Sequence, residues 1–160
     1  MKKFEKILAC VDFSQYATMT LESAVALARG SDAQIVVFNA INQRDVNNVE
    51  SLSQFHPGKI DAEIYVRDMT KERMEKLDLF INTNFPDEKT RMSISIDVGI
   101  PWESIIKAAK THDADLIVMA NKGRGNLSRV LFGSAAEKVF RHSPVPVVSV
   151  RDKDTFKGRQ

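Results

Sequence analysis

A chain of 160 residues is the size of one domain, and its 43% hydrophobic and 28% charged content is that of an ordinary globular protein. A net charge of +2 is too small for a general nucleic-acid or membrane-surface binder, and the single Cys10 rules out an internal disulfide. The charge is uneven, however: residues 1–80 carry ten basic and twelve acidic side chains, residues 81–160 thirteen and nine.

The opening apolar run is too short to span a bilayer and is followed by no signal-peptide cleavage pattern, so we expect a cytoplasmic protein with no membrane partner. That run, KILACVD at 6–12, is the first expected strand. Residues 14–29 follow as a helix with Ser14 as N-cap, Ala17, Leu21, Ala24, Val25 and Ala28 on one face, and a stop at Gly30. AQIVVFNAI at 33–41 is the second strand. Residues 42–60 are polar without clear periodicity and are expected to form a long loop, of the kind that makes lids or interaction surfaces. A charged helix over 61–83 has its apolar stripe at Met69, Leu77, Phe80 and Ile81.

RMSISIDVG at 91–99 alternates, which suits a strand nearer a sheet edge. Pro101 precedes a helix over 102–111 that faces inward through Ile105, Ile106 and Ala109. ADLIVMA at 114–120, a helix over 134–142 ended by Ser143-Pro144, and VPVVSV at 145–150 complete the order. The domain thus covers 1–151, and 152–160 is a polar tail expected to fray. Near-continuous apolar strands require cover on both faces, and strands alternating with helices imply right-handed crossovers. The fold class is α/β, a doubly wound, five-stranded, mainly parallel sheet with helices on both faces. Ligands on such sheets bind beyond the carboxyl ends of the strands, where the strand order reverses.

Asp12 ends the first strand, and ANKGRGNLSRVLFGSAAE at 120–137 follows the fourth. Three glycines, Gly123, Gly125 and Gly133, stand there among Lys122, Arg124 and Arg129. Glycine lets backbone approach a ligand closely, and amides at the start of a helix are donors aimed one way. Ser134, Ala135 and Ala136 with the Ser134 hydroxyl would make a polyphosphate cradle; a surface turn with Ser134 as a plain N-cap is the alternative.

Nearly the whole chain resembles the universal stress protein family of small adenine-nucleotide-binding α/β domains. KILACVDFS is similar to the family's opening strand ending in Asp, VGIPWESIIKAAKTHDADLIVMANKGRG to its Gly-x-Pro, helix and Ala-Asp-Leu-Ile-Val-Met block, and GSAAEKVFRHSPVPVVSVR to its last helix and strand. Gly123, nine residues, Gly133 and Ser134 match the second part of the family's Gly-x2-Gly-x9-Gly-Ser/Thr; the first position is Ala120, where nucleotide-binding members have Gly. The resemblance implies the adenine nucleotide alpha hydrolase-like fold with strand order 3-2-1-4-5, and ATP or AMP as ligand. Cys10, Val11 and Asp12 would meet the adenosine end, Ala40 would offer backbone to the adenine edge, and Met119 would pack near base or ribose. Ala120 would lie against ribose and α-phosphate, and Gly123, Arg124, Gly125, Gly133, Ser134 and Ala135 would hold the phosphates. A Mg²⁺ on those phosphates would find Asp12 as its nearest carboxylate. The resemblance also implies a homodimer through 145–150 that buries Val148 and Val150.

His56, His112 and His142 lack metal-ligand spacing, no G-x-x-x-x-G-K-[ST] occurs, and no Ser/His/Asp order stands out. We expect a nucleotide-dependent switch with a protein partner and at most slow ATP hydrolysis. The alternative is a nucleotide-free dimeric interaction protein of the same fold with a vestigial Gly-rich loop; Ala120 favours this, the intact Gly123-x9-Gly133-Ser134 the switch.

Overall fold

The computed structural model describes residues 3–122 and 133–152. Its elements are β1 (Lys6–Cys10), α1 (Ala17–Ala28), β2 (Gln34–Asn42), α2 (Gln43–Phe55), α3 (Ala62–Asn84), β3 (Met92–Gly99), α4 (Pro101–Thr111), β4 (Leu116–Ala120), α5 (Ser134–His142) and β5 (Val147–Val150), with a 3₁₀ turn at Pro86–Arg91 before β3. The five strands form one sheet in the order β3-β2-β1-β4-β5. Every pairing is parallel, as the doubly wound reading requires.

The period of two along each strand sorts the apolar residues onto two faces. Ile7 and Ala9 of β1, Ile35 and Val37 of β2, and Leu116 and Val118 of β4 pack with α1 and α3. Leu8, Val36, Phe38, Ile117 and Met119 pack on the other side with α4 and α5. Both faces are dry, which is why the central strands read as continuous apolar runs. The outer strands are β3 and β5, and β3 is the strand whose alternation marked it for an edge.

Local signals explain most boundaries. Gly30 takes φ +76 just past α1, a conformation that costs glycine little. Pro101 occupies the first turn of α4, where a missing N–H costs nothing. Asp61 caps α3 by accepting from the amides of Glu63 and Ile64.

Two expectations need correction. Residues 42–60 are not one long loop: α2 follows β2 at once, with Asn42 accepting from the Arg44 amide. Val46, Val49, Leu52 and Phe55 recur at helical spacing, but only Val46 is buried and the rest of the helix is polar. Ser14 does not cap α1 either. The helix starts at Ala17, and Ser14 Oγ instead accepts the Tyr16 N–H.

The stripe of α3 supplies a stability test. Leu77 is 1% exposed and Leu79 is 67% exposed. Leu77→Ala is expected to cost about 3 kcal/mol by opening a cavity against the sheet, and Leu79→Ala less than about 0.5 kcal/mol. The two denaturant midpoints measure the difference.

Candidate functional site

The site begins where β1 stops. The β1–β2 register ends at Cys10 opposite Phe38, and the Val11 N–H gives a last bond of 2.9 Å to the Phe38 carbonyl. The chain then turns away: Asp12 Oδ1 accepts the Ser14 N–H at 3.1 Å, and Phe13 takes φ 58. β2 runs on to Asn42 and β4 to Ala120, so a gap opens between them above the end of β1. Two strand spacings make that gap roughly 10 Å wide. It is the reversal point of the strand order, and a cleft of about 600 Å³ occupies it.

The cleft is polar at both sides and apolar between. Phe38, Ile105 and Met119, all buried, form its α4/α5 wall. On the β4 side, the Asn121 N–H bonds the Val150 carbonyl at 3.1 Å, and the Asn121 carbonyl accepts from the Gly133 N–H at 2.8 Å. That second bond seats the start of α5, so Gly133, Ser134, Ala135 and Ala136 line the cleft together with Lys122. The first-turn amides of α5 have no acceptor within their own helix, and among the described residues no side chain caps them. A helix start in that state, with a lysine beside it, attracts an anion.

On the β2 side, Asn39 is 3% exposed, and its Nδ2 donates to the Val11 carbonyl at 2.7 Å. Arg73, reaching in from α3, donates through Nη1 to Asn39 Oδ1 at 2.6 Å and to the Ala40 carbonyl at 2.8 Å. Asn42 and Asp45, at the start of α2, also line this side.

Of the residues singled out in sequence, Cys10, Val11, Asp12, Ala40, Met119, Ala120, Gly133, Ser134 and Ala135 line this one cleft. Gly123, Arg124 and Gly125 lie outside the described residues, as does Arg129. The part expected of Gly133 changes. Its φ of −66 and ψ of 152 are open to any residue, and its N–H is bonded to Asn121, so neither a special turn nor a phosphate donor explains it. What remains is space: a side chain there would enter the cleft. Asn39, Asn42, Asp45 and Arg73 were missed. Asn39 carried a signal, being a polar residue inside an apolar strand, whereas Arg73 sits on a charged helix with nothing local to mark it. Among the described residues no cluster of three His, Cys, Asp or Glu side chains could hold a metal, and no helix is long and apolar enough to cross a membrane.

The Universal stress protein family profile matches residues 3–151. Universal stress protein MJ0577 of Methanocaldococcus jannaschii is 27% identical over 160 residues, covering 95% of this chain and 98% of that protein. Its solved structure superposes with a TM-score of 0.79 at 28% identity, over 95% of this chain and 99% of the other. A putative universal stress protein of Staphylococcus saprophyticus, SSP1056, is 30% identical over 155 residues, 96% of this chain and 87% of its own. A universal stress protein crystallised in complex with cAMP shares the fold at a TM-score of 0.58 and 19% identity, over 93% and 98% of the two chains.

Cys10 lines the cleft and is half-buried there. Burial pushes its thiol well above the ordinary cysteine range, so it stays protonated at neutral pH. In folded protein at pH 8, iodoacetamide should leave Cys10 unmodified while labelling it fully after denaturation, as read by mass spectrometry.

Proposed function

The chain belongs to the universal stress protein family, and we propose that it is an adenine-nucleotide-binding regulatory member, a switch set by ATP or AMP. One observation carries this reading: a single cleft joins an uncapped helix start, an apolar wall and a set of backbone and amide groups in a line across β4, β1 and β2. A nucleotide has that same order of anion, apolar ring and polar ring edge. The phosphates would lie against the Ser134, Ala135 and Ala136 amides and Lys122; Gly123, Arg124 and Gly125, which the family resemblance adds to this set, lie outside the described residues. The adenosine would lie against Cys10, Val11, Asp12, Ala40 and Met119. Support comes also from the relative that holds cAMP in the same fold. The described residues contain no metal cluster of their own, so a Mg²⁺ would arrive on the phosphates and meet Asp12.

A bound nucleotide would bridge the β4 side and the β2 side of the cleft above the end of β1. Lys122, Gly133 and the start of α2 border the cleft, and the surfaces beside them are where a protein partner would sense occupancy. No residue is assigned to catalysis.

A nucleotide-free dimer is the second reading, and Ala120 favours it, since its methyl group lines the cleft where nucleotide-binding relatives of the family carry Gly. Calorimetry with ATP separates the two. Wild-type protein should bind, Gly133→Val should abolish binding by filling the phosphate side, and Ala120→Gly should strengthen it about fivefold if the methyl crowds the ligand. Unchanged affinity in Gly133→Val would overturn the site, and no nucleotide released from denatured wild-type protein together with no ATP binding would favour the second reading.

Under both readings we propose a homodimer through residues 145–150. β5 is an open edge, and its geometry revises which residues would carry the contact. The Pro146 and Val150 carbonyls accept from Ile117 of β4 and from Asn121 just past its end, so the even-numbered backbone groups face inward and those of Val147 and Ser149 face the edge. Val150 is already buried in its own core. Ser149→Pro removes an edge N–H, and the Ser149 Oγ it deletes makes no hydrogen bond. Light scattering should give two chains for the wild type and one for Ser149→Pro; a wild-type mass of one chain at micromolar concentration would end the proposal.

A further inference from the structure

The β2 side of the cleft holds a cation that the reading above leaves without a role. Ala40 follows Phe38 by two residues, so its carbonyl points the same way, toward β1. β1 has left the sheet by then, and the oxygen that would have continued the ladder faces the cleft. Arg73 takes it at 2.8 Å, and the same Nη1 holds Asn39 Oδ1 at 2.6 Å. Asn39 is buried and anchored to the Val11 carbonyl, so the guanidinium is fixed at the rim by two groups of β2, one of them tied to the chain leaving β1. Arg73 itself lines the cleft.

A ring edge arriving here meets a carbonyl already covered by a positive, donating group. An exocyclic amine must compete with the guanidinium for the Ala40 oxygen and carries partial positive charge toward it. An exocyclic carbonyl brings a lone pair and is attracted. Adenine has the amine at its six position; hypoxanthine and guanine have the carbonyl. We infer that Arg73 is a specificity-determining residue that opens the cleft to 6-oxo purine nucleotides alongside 6-amino ones. The inference rests on the cleft being a nucleotide site, as proposed above.

The competing account makes Arg73 a tie between α3 and the end of β2 and nothing more. Its loss would then weaken all ligands alike. ATP and inosine triphosphate share ribose and phosphates, so the ratio of their dissociation constants isolates the base edge. Calorimetry on wild type, Arg73→Met and Arg73→Lys should give comparable affinities for the two nucleotides in the wild type. Arg73→Met should shift the ratio up to about tenfold toward ATP, the worth of one hydrogen bond, because the Ala40 carbonyl is then free to accept the exocyclic amine. Arg73→Lys, which keeps the charge without the fork, should fall between and carries the test should the methionine variant fail to fold. Both nucleotides bound with the same ratio in all three proteins would overturn the inference and leave the nucleotide reading standing. Neither nucleotide bound by the wild type would overturn both.

Discussion

A parallel strand that stops while both neighbours continue leaves their backbone groups facing each other across a gap, and this chain is organised around that one break. β1 pairs with β2 and β4 through Cys10 and then departs at Asp12 and Phe13. Because β2 and β4 carry the chain to opposite flanks of the sheet, nothing in the topology returns to fill the space. The cleft is a consequence of the strand order before it is a property of any side chain.

Each polar group exposed by the break has then to find a partner or face solvent. The Val11 carbonyl is met by Asn39, the Ala40 carbonyl by Arg73, and the Asn121 carbonyl by Gly133. These bonds are not equivalent. Gly133 docks a helix start, and so turns one repaired break into a source of aligned amides. Arg73 imports a full charge from a helix on the α1/α3 face of the sheet. Each side of the cleft therefore presents donors, one through oriented backbone and the other through a guanidinium, with Asp12 and Asp45 as the carboxylates of the lining.

This also accounts for how much could be read without coordinates. The strands and their parallel order were legible because a sheet buried on both faces leaves no choice but continuous apolar sequence, as in LIVMA of β4. Of the residues that line the cleft, Cys10, Val11, Ala40 and Met119 came from the family resemblance, whereas Lys122, Ser134, Ala135 and Ala136 were legible from the Gly-rich stretch at the start of the last helix. Arg73 was not, because its partners Asn39 and Ala40 lie more than thirty residues away in sequence and its own helix is charged on most positions. α2 was passed over for a different reason: its four apolar residues, Val46, Val49, Leu52 and Phe55, recur at helical spacing but are thinly set among polar ones, and its cap, Asn42, was counted as part of a polar loop. Gly133 misled in the opposite direction. A glycine beside a helix start suggested backbone amides held against a phosphate, whereas the residue is extended and its own N–H is spent on the Asn121 carbonyl.

The two open edges of the sheet are handled differently, and the contrast bears on what each is for. β3 carries Asp97, whose Oδ1 accepts the Val98 N–H and whose Oδ2 pairs with Lys107 of α4, and its Ser95 is held by His112. A charged, internally engaged edge of this kind resists another strand, since pairing would strip the carboxylate of its partners and water. β5 has only valines and one serine. Pro146 stands just before it, and the Pro146 carbonyl is directed inward to β4. An edge strand that leaves Val147 and Ser149 without charge or proline would be an aggregation hazard in a chain that met no partner there. A two-fold pairing satisfies those groups and closes after two copies, which an open stack would not. The asymmetry between β3 and β5 therefore argues for one guarded edge and one committed to a second copy of the chain, at the flank of the sheet that also seats the start of α5.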